Sequence, residues 1–218
     1  MRIDWQKPLF AWDCLEDSPS LRTVREILAA MPDGKLLAAL HAYRGKGRDE
    51  YPMQVLWGVH VLKIILRHRH TSDCLDELQR NEGLRRLIGI AEEDQVPKPW
   101  NMSRFEEVLG REPHRSLLKE CFDQMVQRLG EAVPDLGQRT AGDSTHLSAR
   151  SKANAETVKE EVAEGLPQPS GGRKEYTDDE GKVTKAIEWH GYKLHLLVDV
   201  KHEVPLAYEV TDTKAGDG

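Results

Sequence analysis

The segment Ile187-Glu188-Trp189-His190-Gly191-Tyr192-Lys193-Leu194-His195-Leu196-Leu197-Val198-Asp199-Val200 decides the fold. Leu194, Leu196, Val198 and Val200 alternate with Lys193, His195, Leu197 and Asp199, the period of two expected of a half-buried strand. His202-Glu203 supplies a turn, and Pro205 to Thr211 reads as a further strand with Leu206, Tyr208 and Val210 on one face. Upstream, Gln138 to His146 reads as an earlier strand that ends near Asp143. Two strands joined by a tight turn, after a third, predict the start of an antiparallel sheet. No helix follows to cover it before Gly218, and a three-strand half-sheet with a bare face is not a complete domain, so this domain is expected to be incomplete.

Between the first strand and the second, Ser151 to Glu188 is polar and contains Pro167-Gln168-Pro169-Ser170-Gly171-Gly172. It is expected to be a long exposed excursion, partly disordered, with one helix over Ala155 to Ala163.

Everything before Pro134 carries helical spacing. Ser18-Pro19 offers an N-cap with proline at the first helical position, followed by Leu21, Val24, Ile27 and Leu28. Pro32-Asp33-Gly34 stops that helix, Leu36 to Leu40 suggests a second, and Arg44-Gly45-Lys46-Gly47-Arg48 reads as a flexible basic loop. Pro52 opens the longest apolar pattern, with Val55, Val59, Leu62 and Leu66 in the stripe and Leu56, Ile64 and Ile65 widening it. Ser72 is the expected cap of a helix carrying Leu75 and Leu78, and Leu84, Leu87 and Ile88 mark another. The pair suggests a helix-turn-helix arrangement near Thr71 to Ile88. Val96-Pro97-Lys98-Pro99 is an extended break, and Ser103 to Glu106 has capping-box spacing at the start of a short helix with Phe105. Pro113 then begins a helix with Leu117, Cys121, Met125 and Leu129 on one face, ended by Gly130.

The 218 residues are 39% hydrophobic and 31% charged, globular but polar in composition. No run approaches the roughly 18 apolar residues of a membrane span, and Met1 to Asp13 lacks the pattern of a secretory signal, so a cytoplasmic location is expected. Cys14, Cys74 and Cys121 are odd in number and widely spaced, which fits free thiols better than a disulfide framework. The net charge is −6, against the basic excess usual in nucleic-acid binders. The charge is unevenly spread: residues 41–86 hold nine Lys/Arg against six Asp/Glu, whereas residues 141–218 hold ten against fifteen. Affinity for DNA follows the phosphates contacted rather than total charge, so the basic stretch reads either as a DNA face or as a solvated helix surface.

Ala141-Gly142-Asp143-Ser144-Thr145 sets a carboxylate in or at the end of a strand. Such a residue is either a turn-forming side chain or a ligand for Mg²⁺, which takes oxygen donors in near-octahedral geometry. One carboxylate cannot build a two-metal site; two or three from separate elements are needed. Lys193 and His195 share one face of their strand, Tyr192 and Leu194 the other. The cationic pair either faces solvent and neighbouring acids or meets phosphate. His68, His70 and Cys74 lack a fourth ligand at zinc spacing. Arg67 and Arg69 read as phosphate contacts or as a polar helix end.

Gly142-Asp143-Ser144-Thr145, then Gly191-Tyr192-Lys193-Leu194-His195-Leu196-Leu197-Val198-Asp199 and Val204-Pro205-Leu206-Ala207, resemble the opening of DDE insertion-sequence transposase domains. Tyr51-Pro52 before a long apolar helix, Leu75 to Ile90 and Ser103-Arg104-Phe105 resemble the helical domain preceding them. The resemblance covers roughly residues 42–218. It implies an α+β chain: an N-terminal helical bundle over 1–133 for DNA binding or dimerisation, then over 134–218 the first strands of a ribonuclease-H-like α/β domain, interrupted by the polar insertion at about 151–188. It implies DNA cleavage and strand transfer with Mg²⁺, or Mn²⁺ as substitute, and Asp143 as the first catalytic carboxylate and metal ligand. The second Asp and the final Glu are expected beyond Gly218, so the chain reads as truncated and inactive alone; Asp199 matches a non-catalytic strand end. Arg67, Arg69, Lys193 and His195 are the expected DNA contacts. Expected partners are insertion-sequence ends, target DNA and a second copy of the chain in the nucleoid, with no membrane. The other reading kept open is a non-catalytic DNA-binding or regulatory remnant.

Overall fold

The computed structural model describes residues 19–45, 51–149, 155–178 and 181–215. The chain is α+β, with a helical region followed by an antiparallel sheet, and it divides between Met125 and Val126 into two compact units.

The helical unit contains α1 (Pro19–Ala30), α2 (Gly34–Arg44), α3 (Met53–Ile65), α4 (Thr71–Arg80), α5 (Glu82–Leu87), a 3₁₀ turn (Glu93–Gln95), α6 (Pro99–Leu109) and the start of α7 (His114–Ala132). Its centre is α3, where every residue from Val55 to Val59, and then Val61 and Leu62, is buried. Leu36 and Leu40 of α2, Leu62 of α3 and Leu78 of α4 have no exposed surface. Each such leucine contributes about 1.5–3 kcal/mol by leaving water. Gly58 lets α5 approach: a Cβ there would lie 2.7 Å from Ile88 Cγ2. Trp57 Nε1 donates to Asp33 Oδ2 at 2.7 Å, which satisfies a polar group that burial of the indole would otherwise strand.

Several helix ends differ from the sequence reading. Ile64 does not widen the apolar stripe; it is 65% exposed, because α3 is already covered on its other sides. α4 is capped by His70, not Ser72: the His70 N–H donates to Asp73 Oδ2 at 3.1 Å. α6 starts at Pro99 rather than Ser103, whose hydroxyl donates back to the Pro99 carbonyl from inside the helix. Proline at the first turn lacks only an N–H that has no intrahelical partner there, so the apparent break is a start. α7 runs past Gly130 to Ala132, and Met125 is 39% exposed. Residues 46–48 of the expected basic loop lie outside the described residues.

The sheet unit holds β1 (Thr140–Ser148), α8 (Ala155–Ala163), β2 (Ser170–Thr177), β3 (Val183–Asp199) and β4 (Val204–Thr211). The 17-residue β3 organises it, with every pairing antiparallel. β1 lies along the C-terminal half of β3 and β4 along the other edge of that half, while β2 follows the N-terminal half. The excursion expected over 151–188 is therefore corrected in part. The helix lies where expected, but residues 170–177 and 183–188 form a hairpin of the sheet, and four strands are described, not three. Each hairpin strand pairs through one edge, and its side chains are largely polar. Among the described residues no helix is long and apolar enough to cross a membrane.

Candidate nucleic-acid interface

Asp143 does not end its strand. β1 continues to Ser148, and Asp143 sits exposed at its middle, opposite Leu196 of β3, which in turn faces Tyr208 of β4. Its Oδ1 accepts the Ser144 N–H at 2.7 Å, so the carboxylate is turned by its own backbone. An open groove of about 370 Å³ runs over this part of the sheet, bordered by Asp143, Leu196 and Tyr208.

Directly opposed residues in antiparallel pairs share a face, so the register assigns each side chain. Ser144, His195 and Glu209 form one row; His146, Lys193 and Thr211 form the next. Both rows lie on the face opposite Asp143. A phosphate held by Lys193 or His195 would thus be held across the sheet from Asp143. Both side chains are half-buried: Lys193 Nζ donates to the Ala215 carbonyl at 2.7 Å, and His195 Nε2 is 2.9 Å from Thr211 Oγ1.

Asp199 is fully buried, with Oδ2 accepting from Gly137 N–H and Oδ1 from His202 N–H, both at 2.7 Å. Burial pushes this carboxyl up, but the backbone donors of His202, Gly137 and Lys201 and the nearby His202 hold it below the usual carboxylate range. It anchors the β3–β4 turn and leaves little oxygen for a metal. Among the described residues no three His, Cys, Asp or Glu side chains gather as a metal cluster. Cys74 is buried, with its thiol pushed up to about 11 by burial, and is a core side chain.

In the helical unit the basic stretch is thinner than its composition suggests. Arg85 is buried and donates to the carbonyls of Leu78 at 2.9 Å and Gln79 at 2.6 Å, closing the C-terminus of α4. Arg86 pairs with Glu82 at 2.9 Å, Arg80 with Glu77 at 3.7 Å, Lys63 with Glu106 at 3.9 Å, and Arg44 donates to the Tyr51 carbonyl. α4 and α5 are joined by Asn81 alone, and α5 has six residues, so the second helix of the expected helix-turn-helix is too short to lie along a groove. Arg67 and Arg69 are both exposed, just past α3.

Arg67 also has a backbone role. Its φ is +56°, and Arg67 N–H donates to Ile64 O at 3.0 Å while His68 N–H donates to Lys63 O at 2.9 Å. This is the Schellman closure, which favours glycine at Arg67's position. Arg67→Gly is therefore expected to raise stability by about 0.5–1 kcal/mol, read from the urea midpoint, while removing one exposed cation. A lowered midpoint would contradict this helix end.

The sequence reading missed the hairpin face. Lys174 and Tyr176 alternate with Arg173 and Glu175, and Lys185, Ile187 and Trp189 with Ala186, Glu188 and His190. That period of two was the available signal, masked by polarity on both sides.

Residues 13–108 match the family described as Transposase domain (DUF772), a match that ends within α6 and includes none of the sheet unit. No curated protein and no solved structure matches the chain. The match makes residues 13–108 similar to a transposase domain and supports a transposase-related protein.

Proposed function

We propose that the chain works in DNA transposition as part of a DDE-type insertion-sequence transposase. In this reading residues 1–133 bind DNA or dimerise and residues 134–218 open a ribonuclease-H-like catalytic domain. The observation that carries it is an exposed Asp143 at mid-strand in an antiparallel sheet that follows the transposase-domain match. Asp143 suits one position in the oxygen shell of Mg²⁺ or Mn²⁺: it is a hard donor, solvent-accessible, and carried on a paired strand. The other carboxylates are, in this reading, the family's second Asp and Glu. Such ions, when bound, activate the attacking oxygen and stabilise the leaving one. Asp143 contributes charge and position, while Arg67 and Arg69 contribute phosphate contacts at the end of α3. The proposed partners are insertion-sequence ends, target DNA and a second copy of the chain, and the proposed location is the nucleoid.

A second reading, a non-catalytic DNA-binding regulator, is favoured by one observation: no metal cluster forms around Asp143 among the described residues. Both readings require DNA binding. Duplex affinity of the chain is expected to fall steeply with salt. Arg67→Ala with Arg69→Ala should flatten the log–log slope by about one unit for each phosphate that is no longer neutralised. Fluorescence anisotropy from about 50 to 200 mM salt measures both. Salt-independent binding would refute the assignment.

A further inference from the structure

The β2–β3 hairpin separates its charges by face. On one face Arg173 holds both acids of its neighbourhood, Glu175 at 2.6 Å and Glu188 at 3.6 Å. On the other lie Lys174, Tyr176, Lys185, Ile187 and Trp189, with His146 of β1 beside them and no carboxylate from either hairpin strand. The Lys174 and Lys185 ammonium groups stand 5.7 and 5.9 Å from the Tyr176 ring centre, one on each flank in sequence. Trp189 is fixed: Nε1 donates to the Tyr192 carbonyl at 3.1 Å, and a Cβ on Gly172 would fall 2.4 Å from its ring. The His146 ring tilts towards it at 5.5 Å. Tyr176 is 42% exposed, and a pocket of about 170 Å³ opens between Tyr176, Trp189, His146 and Lys174.

Exposed lysines beside aromatic rings, where neither hairpin strand places a carboxylate and the β4 acid of that face, Glu209, lies in the row of Ser144 and His195, complement a ligand that is both anionic and flat. A nucleic-acid duplex offers phosphates but hides its ring faces in the stack; an unpaired strand offers both. Given the transposition reading above, on which this rests, we infer that this face binds a single DNA strand. Bases stack on Tyr176 and Trp189, and Lys174 and Lys185 take the flanking phosphates. The surface lies opposite Asp143, so it holds a strand away from the carboxylate rather than presenting it there.

The test uses the full chain with labelled oligothymidine, a duplex of equal length and an abasic deoxyribose-phosphate oligomer. Oligothymidine is expected to bind more tightly than the abasic oligomer. Tyr176→Ala should weaken oligothymidine about tenfold and leave the abasic oligomer unchanged. Lys174→Ala with Lys185→Ala should reduce the oligothymidine salt slope by about 0.7 per phosphate released. Because Trp189 is packed on Gly172, Trp189→Ala risks the fold; exposed Tyr176 avoids that risk. Arg67→Ala with Arg69→Ala should weaken the duplex while keeping the preference for oligothymidine over the abasic oligomer. Equal binding of the abasic oligomer, or insensitivity to both hairpin variants, overturns the inference and leaves the duplex reading standing. Failure to bind any of the three overturns both.

Discussion

Gly191→Ala is expected to destabilise the sheet by about 3 kcal/mol or more, one of the largest effects of any single methyl group in this protein. A Cβ at this position would lie 2.0 Å from the Leu147 carbonyl oxygen and 2.7 Å from the Ala149 nitrogen. Both are backbone atoms of or beside β1, so relief requires moving a strand rather than turning a side chain. Gly191 is also where β3 passes from pairing with β2 to pairing with β4, and it faces Ser148 and Ser170. Gly171→Ala is the matched control, since nothing lies within 4 Å of a Cβ there. Urea unfolding monitored by tryptophan fluorescence should separate the two variants clearly. Coincident midpoints would mean that β1 and β3 are not in this register.

Asp143→Asn is expected to abolish metal-dependent strand cleavage in a polypeptide that also carries the second Asp and the Glu. Replacing groups that merely support a metal ligand costs roughly 10–100-fold, so removing a direct ligand's charge should exceed about 100-fold. Folding should be unaffected: Asp143 is exposed, and an amide oxygen can still accept the Ser144 N–H. Duplex affinity should also persist, because Arg67 and Arg69 lie in the other unit. Cleavage at the wild-type rate would remove Asp143 from the proposed metal site; loss of DNA binding would show that it had a structural role instead.

The features legible in the sequence were those with one strong period. The stripe after Pro52 became α3, Ala155 to Ala163 became α8 residue for residue, and His202-Glu203 became the turn before β4. The helix ends were less legible because caps depend on where an unpaired N–H finds an acceptor. Ser72 and Ser103 were chemically suitable, yet His70 with Asp73 and the Lys98-Pro99 entry form the ends instead. The hairpin was missed because both faces are polar, so no apolar contrast revealed its alternation. For the candidate site, the sequence singled out Asp143 as a proposed ligand but did not show its setting at mid-strand, which depends on β1 pairing through to Ser148. The faces of Lys193 and His195 relative to Asp143 depended on the same register.

The central place of β3 also orders the assembly of the sheet. The β3–β4 connection spans residues 200–203 and the β2–β3 connection residues 178–182, so both hairpins close over short loops. β1 meets β3 only across residues 149–190. With the β2–β3 hairpin closed, Ser170 already faces Gly191 and the loop left to β1 is residues 149–169, about two doublings longer than the hairpin loops and on the order of 1 kcal/mol more chain entropy. Long-range pairing of this kind is the slow step in β-containing domains. β1 is therefore expected to dock last, so that the carboxylate it carries reaches its final position as the sheet closes. A nascent chain would have the Tyr176–Trp189 surface in place before it had Asp143 in place.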